Sequence, residues 1–308
     1  MDRGHRSFVL FVVISSFSFM ICSECRSQAN SYNAPAIFHP GRLKSTVIAE
    51  SILSTAIFTG LHYLWYKKYP HSRFHFFNDN GEWLQMDKAG HATTAYNVSA
   101  FQYYVMRQSG ISNRSSTWIG GLTALGFQTI IEIFDGFSQK WGFSVGDMLA
   151  NIIGTSVFMA QQFAWNQQKL GLKFSFHSTI FPQYNPAELG KNKWQRWLKD
   201  YNGQTYWLTL NPSSFMKSGN DFPKWLNLAA GYGAEGMIGA SSNPTVIGDK
   251  QIPTFTRTRK YYLSIDADIN RFHQNNQFPY AFPNILKFPA PAIEFKKSTT
   301  ARFTPFYF

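Results

Sequence analysis

The sequence predicts an α+β protein, with an N-terminal four-helix bundle followed by a β-rich, aromatic C-terminal region. Two textures carry that prediction. Up to Lys169 the apolar residues come in long stretches with helical punctuation; beyond it they come in short alternating runs between Pro- and Gly-containing loops. Composition supports a folded chain. The 308 residues are 44% hydrophobic and 15% charged, which gives ample length for buried cores and excludes a disordered protein. A mean hydropathy of −0.23 argues against a many-spanning membrane protein. The chain has 29 Lys+Arg against 17 Asp+Glu, a formal charge of +12, together with 30 Phe, 15 Tyr and 9 Trp. Basic and aromatic together suit a membrane surface or a cell envelope, where Tyr and Trp occupy the wet edge of apolar regions.

The first segment, residues 1–29, reads as an export signal. Arg3 and Arg6 precede the apolar run Phe8–Ile21, and Ser27-Gln28-Ala29 is a small-x-small cleavage site. An uncleaved signal anchor is the alternative. Both cysteines, Cys22 and Cys25, lie here, so cleavage after Ala29 leaves no disulfide, thiol nucleophile or cysteinyl metal site. Lipidation needs a small residue before the cysteine; Ile21 and Glu24 stand there instead. Export points to a bacterial cell envelope, on the periplasmic face of the outer membrane or within it. The expected partners are an envelope protein complex and a membrane surface, with no nucleic acid.

A leader, residues 30–44, precedes the helical domain, residues 45–170, whose helices are expected at Ser45–Lys67, Asp87–Arg107, Ser116–Phe134 and Ser144–Lys169. Gly110, Gly136 and Gly171 are read as helix ends and Ser144 as a start. Thr46–Trp65 and Trp118–Phe134 approach the roughly 20 apolar residues of a membrane span. Glu50 and His62 interrupt the first, and Gln128 and Glu132 the second, so a buried bundle leaning on a membrane is preferred to four spans.

In the C-terminal extension, residues 171–308, strands are expected at Lys173–Ile180, Gln204–Leu210, Trp225–Ala234, Lys260–Ile269 and Arg302–Phe308. A short helix at Asn192–Asp200 places Trp194, Trp197 and Leu198 on one face. The basic aromatic run Lys191–Lys199 is either a contact for anionic lipid or a solvated face. The ending Phe303-Thr304-Pro305-Phe306-Tyr307-Phe308 has the form of a last strand of an outer-membrane barrel. Five or six candidate strands fall short of the eight such a barrel needs, so a sheet that docks on a membrane or another protein is the reading taken.

The chemistry-bearing residues are Asp87, Lys88, His91, Glu132, Asp135, Asp147 and Asn151. Asp87 and His91 share a helix face, as do Asp147 and Asn151, and Glu132 and Asp135 are neighbours one turn apart. In an up-and-down bundle the starts of the second and fourth helices lie level with the end of the third, so these groups converge. Three readings stay open. A satisfied polar network fixes helix pairing, with Asp87 as an N-cap, Ser144-x-x-Asp147 as a capping box, Lys88 neutralising Glu132 or Asp135, and Asn151 bridging helices. Split carboxylate pKa values with His91 serve acid–base hydrolysis. Alternatively His91, Glu132, Asp135 and Asp147 hold a divalent metal. The Glu-x-x-His pairs of di-iron bundles are absent. His177 and His273 are isolated. Gly231–Gly236 lacks the lysine of a phosphate loop, and its glycines read as close backbone contacts in a strand.

The pattern Asp87-Lys88-x-x-His91, Glu132-x-x-Asp135-Gly136, Ser144-x-x-Asp147-x-x-x-Asn151-x-x-Gly154 resembles the YfiM-type predicted periplasmic lipoproteins, a family without an established activity. The resemblance covers roughly Ser45–Lys169. The aromatic segments Asp200–Trp207 and Gly231–Met237 are similar to an extension of its longer Bacteroidota members. More distantly the helices resemble VanZ-like membrane proteins, although Lys140 and Trp141 stand where those carry an arginine. The resemblance implies an envelope location. The reading adopted is a non-catalytic, outer-membrane-associated accessory or structural subunit of an envelope complex. The rival is a hydrolase or transferase acting on lipid or cell-wall glycan.

Overall fold

The computed structural model describes residues 37–64, 66–217, 221–271, 284–296 and 301–308. The export signal, residues 30–36 of the leader and His273 lie outside the described residues. The chain is α+β. Its long helices are α1 (Pro40–Leu64), α2 (Met86–Gln108), α3 (Asn113–Gly136) and α4 (Val145–Trp165).

Local chemistry sets their ends. Ser112 caps α3 by accepting Ser115 N–H at 3.1 Å, and Ser144 caps α4 by accepting Asp147 N–H at 3.0 Å. The fourth helix ends at Trp165 because Asn166 turns left-handed (φ 50°), and Gly171, expected to end it, lies in the first strand. Lys67 belongs to a separate 3-10 turn, Tyr66–Lys68, rather than to the first helix. Nor does Asp87 cap α2. A 3-10 turn at Glu82–Gln85 leads in, with Trp83, Leu84 and Gln85 at φ 47°, 50° and 63°. The rest of the molecule holds this left-handed run: Trp83 N–H donates to Ala240 O at 2.8 Å, Tyr232 hydroxyl to Leu84 O, and Arg259 to Gln85 Oε1 at 2.6 Å. Asp87 therefore lies inside the first turn of α2, its side chain free for the bundle interior.

The helices α2, α3 and α4 pack backbone to backbone at glycines. A Cβ on Gly120 would lie 2.6 Å from Ser99 O, and one on Gly154 2.0 Å from Ala92 O. Leu53, Ile57 and Leu61 lay α1 against Phe127 and Ile131 of α3.

Six strands form one antiparallel sheet in the order β1-β2-β3-β6-β7-β8: β1 (Leu170–Phe176), β2 (Gln204–Leu210), β3 (Leu226–Glu235), β6 (Thr258–Ala267), β7 (Ala290–Lys296) and β8 (Arg302–Tyr307). Strands β4 (Val246–Ile247) and β5 (Lys250–Gln251) make a separate hairpin. The sequence reading missed β7 because Pro291 demotes such a run. The proline is accommodated beside a register shift between Ala290 and Ala292. Short helices α5 (Pro186–Leu189) and α6 (Lys193–Lys199) join β1 to β2. In α6, Trp197 is half-buried, but Trp194 is 79% exposed and not on the packed face. Gly231 lies in β3, where a Cβ would meet the Trp207 ring at 2.7 Å.

The sheet curls. Lys173 of β1 pairs with Asp266 of β6 at 2.6 Å, and Tyr307 of β8 shares a 2.8 Å hydrogen bond with Thr205 of β2, although neither pair of strands is adjacent. The concave side is thus polar and aromatic, with Trp207, Tyr262 and Tyr307 stacked within it. One core joins both halves: Trp83, Met86 and Phe101 pack with Phe174, Tyr201, Tyr206 and Met237.

Candidate functional site

The bundle brings the starts of α2 and α4 level with the end of α3. There His91 Nε2 faces three carboxylate oxygens, Asp147 Oδ1 at 3.8 Å and Asp87 Oδ1 and Glu132 Oε1 at 3.9 Å. Each of the four side chains is about 2% exposed. The opposite edge of the imidazole is fixed by Asn151, whose Oδ1 lies 3.1 Å from His91 Nδ1 and accepts Gln128 Nε2 at 3.0 Å. Asn151 thus bridges the helices with its amide.

Lys88 takes a different partner set from the one expected. Its Nζ lies 2.7 Å from Asp79 and Asp147 and 3.4 Å from Asp87, rather than beside Glu132 or Asp135. Asp135 stands apart from the cluster and accepts the Tyr66 hydroxyl at 3.0 Å. The remaining six expected residues converge.

Sequence reasoning missed two members. Asp79 sits in the Asn78–Gly81 turn, which reads as an ordinary loop; it accepts Ser144 Oγ–H at 2.6 Å. Tyr201 comes from the C-terminal half and donates to Asp87 Oδ1 at 2.7 Å. No sequence spacing links Tyr201 to α2; only the fold does. Ser144 N–H donates to Glu132 Oε2 at 3.1 Å while its hydroxyl caps α4, so one residue ties the cap to the site.

The electrostatics divide the acids. Burial acts to raise Asp79, but the Lys88 ammonium and the hydrogen bonds from Asp147, Lys88 and Ser144 outweigh it and hold its pKa at about 2. Asp87 is lowered as well: burial opposes, while the adjacent ammonium and the Tyr201 hydroxyl favour the anion. Glu132 goes the other way, pushed up to about 8 by burial and by the neighbouring Asp147 charge. Burial and the Asp87 charge also raise Asp147. Burial is opposed at Lys88 by three carboxylates, which keep it charged.

A second feature lies on the convex side of the sheet. Cross-strand register lines up Leu208, Ala230, Leu263, Ile293 and Phe303 over five strands. A parallel row adds Tyr261 and Phe295, and a third Leu228 and Ile265. Ala230 is exposed, and the larger side chains of these rows are 40–63% exposed. Polarity is therefore inverted, apolar outside and polar inside. The helices share the trend: Leu122 of α3 and Ile153 of α4 are 59% and 58% exposed, while Gln128, Glu132 and Asn151 are buried. The helix α3 is the one described helix long and apolar enough to cross a membrane, and its inward side carries Gln128 and Glu132.

No curated protein and no solved structure matches the chain. One family model does, described as predicted periplasmic lipoprotein (DUF2279), over residues 75–161. The matched segment holds every member of the polar cluster except Tyr201. It supports a location in the cell envelope; the VanZ-like resemblance is not shown. Residues 75–161 are thus similar to the predicted periplasmic lipoprotein family, the one the Asp-Lys-x-x-His pattern resembles.

Proposed function

We propose that this is a non-catalytic envelope protein that docks on the periplasmic face of the outer membrane and serves there as an accessory subunit. The carrying observation is the inverted polarity of the curled sheet. Water-soluble sheets turn their apolar face inward; this one turns Leu228, Leu263, Ile265, Ile293 and Phe303 outward over a charged and hydroxylated interior. Lipid is the occupant the surface favours. The outward series Tyr261, Leu263 and Ile265 of β6 is preceded, two residues back on the same face, by the exposed Arg259, which offers anionic headgroups a basic partner at that end of the strand. Most strands, at 6 or 7 residues, are shorter than the 9–11 or so that cross a bilayer, so the face lies in the interface rather than through it. Burial of Asp87, His91, Glu132 and Asp147, each about 2% exposed, supports the non-catalytic part.

Flotation of the purified chain with phosphatidylethanolamine–phosphatidylglycerol vesicles tests this. The wild type is expected to float, and a variant with Leu228, Leu263, Ile265 and Ile293 all changed to serine to stay in the aqueous fraction with its melting temperature kept. A wild type that stays soluble beside vesicles while holding a stoichiometric envelope protein would assign the face to a protein partner instead.

A further inference from the structure

One atom of the polar cluster is not explained by packing. His91 is buried, its Nδ1 is held by Asn151, and its Nε2 stands 3.8–3.9 Å from three acid oxygens, beyond hydrogen-bond reach of each. Lys88, in the same site, closes to 2.7 Å on two carboxylates. A histidine serving only as counter-ion would close in the same way. Instead an imidazole nitrogen and three oxygens, supplied by α2, α3 and the first turn of α4, surround a gap. Three buried carboxylates, Asp79, Asp87 and Asp147, share a single lysine there, and a fourth, Glu132, is not among its partners.

We propose that this gap seats a divalent transition-metal ion of the zinc or manganese class, ligated by His91 Nε2 and the carboxylates of Asp87, Asp147 and Glu132. The dimensions fit. Ligand atoms of Asp87, His91 and Asp147 lie within 4.8 Å of one another. Two ligands about 2.1 Å from a tetrahedral ion are about 3.4 Å apart, so the histidine–oxygen distances must shorten by roughly 0.4–0.5 Å and the widest separation within the Asp87–His91–Asp147 group by up to about 1.4 Å, with Glu132 swinging in as the fourth ligand. Every ligand already has an orienting partner: Asn151 on the far edge of His91, Tyr201 on Asp87, Lys88 on Asp147, and Ser144 N–H on Glu132. A nitrogen ligand among few oxygens disfavours calcium and magnesium, which take six or more oxygens or keep several waters. With all ligands from protein and each about 2% exposed, the ion acts structurally, clamping three helices at one level.

The full chain, purified in mild detergent, is analysed for metal, stripped with chelator, and reloaded separately with Zn2+, Mn2+ and Co2+. One ion per chain is expected, with a melting temperature that falls on stripping and recovers on reloading. Bound Co2+ should show the intense visible bands of a low-coordinate site. His91→Gln is expected to keep its helical content and lose those bands. Should it fail to fold, Glu132→Gln decides, since it is nearly isosteric and weakens the site without emptying the core. A folded, stripped protein that takes up none of the three ions overturns the proposal. So does uptake unchanged in the folded variants, or binding of Ca2+ or Mg2+ alone. Vesicle flotation does not read this site, so the metal and the membrane proposals fail separately.

Discussion

Replacing Lys88 by methionine removes a charge and leaves the side-chain volume nearly unchanged. Three carboxylates then lose their cation: Asp79 and Asp147 at 2.7 Å and Asp87 at 3.4 Å, all buried. Removing one partner of a buried ion pair costs about 3–5 kcal/mol, because the charge left behind stays desolvated. The Asp79 pKa points the same way, although hydrogen bonds from Asp147 and Ser144 contribute to it beside the lysine. It is depressed from 3.8 to about 2, a shift of roughly 2 units or about 2 kcal/mol from this carboxylate alone. A folded-state pKa below the unfolded one stabilises above pH 3.8, and that stabilisation is lost as pH falls through 2. Urea unfolding of both proteins, in chelator, should therefore show a deficit of about 3–5 kcal/mol for Lys88→Met at pH 7. The deficit should narrow as pH is lowered below about 4, where Asp79 is protonated without its lysine. Restoring neutrality with Asp79→Asn in the Lys88→Met background should recover part of the loss. A deficit under about 1 kcal/mol at pH 7, the level of an exposed ion pair, would refute the reasoning, as would one that does not narrow in acid.

Three further outcomes follow from the packing. Gly154→Ala drives a methyl into Ala92 O, 2.0 Å away, so a loss of about 3 kcal/mol is expected in urea unfolding; an unchanged midpoint would show that α2 and α4 part freely. Tyr201→Phe removes the donor to Asp87 and should cost about 1–3 kcal/mol while leaving far-ultraviolet dichroism intact. Asp200 is pushed up to about 6 by burial, against hydrogen bonds from Thr179 and Asn202. Its folded-state pKa lies above the unfolded 3.8, so it favours the fold most below pH 3.8 and loses about 3 kcal/mol as pH rises through 6; Asp200→Asn should flatten that stretch of the stability profile.

Much of the fold is legible in local chemistry. Ser144 caps its helix as its spacing to Asp147 suggests, and β2 occupies the expected Gln204–Leu210, an aromatic and Thr-rich run with no Gly or Pro inside it. What fails does so where tertiary contacts override local signals. Pro291 hides β7, which its neighbours hold in the sheet regardless, and the left-handed run Trp83–Gln85 displaces Asp87 from the cap. The site is legible by helix period: Asp87 and His91, and Asp147 and Asn151, fall on inward faces at one level. Asp135, one turn beyond Glu132, is near the cluster in sequence but is drawn to Tyr66. Asp79 and Tyr201 enter through a loop and a distant segment, to which no periodicity applies. The strand pattern of β6 shows the alternation Tyr261, Leu263 and Ile265, but alternation cannot say which face is outside.

That outside face is the claim on which the account turns. In a chain with Cys22 and Cys25 changed to serine, nitroxide labels at Leu228→Cys, Leu263→Cys and Ile293→Cys report collision with oxygen and with a water-soluble nickel chelate in the presence of anionic vesicles. A label at the exposed Lys250 of the hairpin serves as the aqueous reference. The account predicts that all three sheet positions become oxygen-accessible and nickel-shielded on vesicle addition, while Lys250→Cys stays nickel-accessible. Sheet positions that remain as open to nickel as Lys250→Cys would contradict docking of this face on lipid.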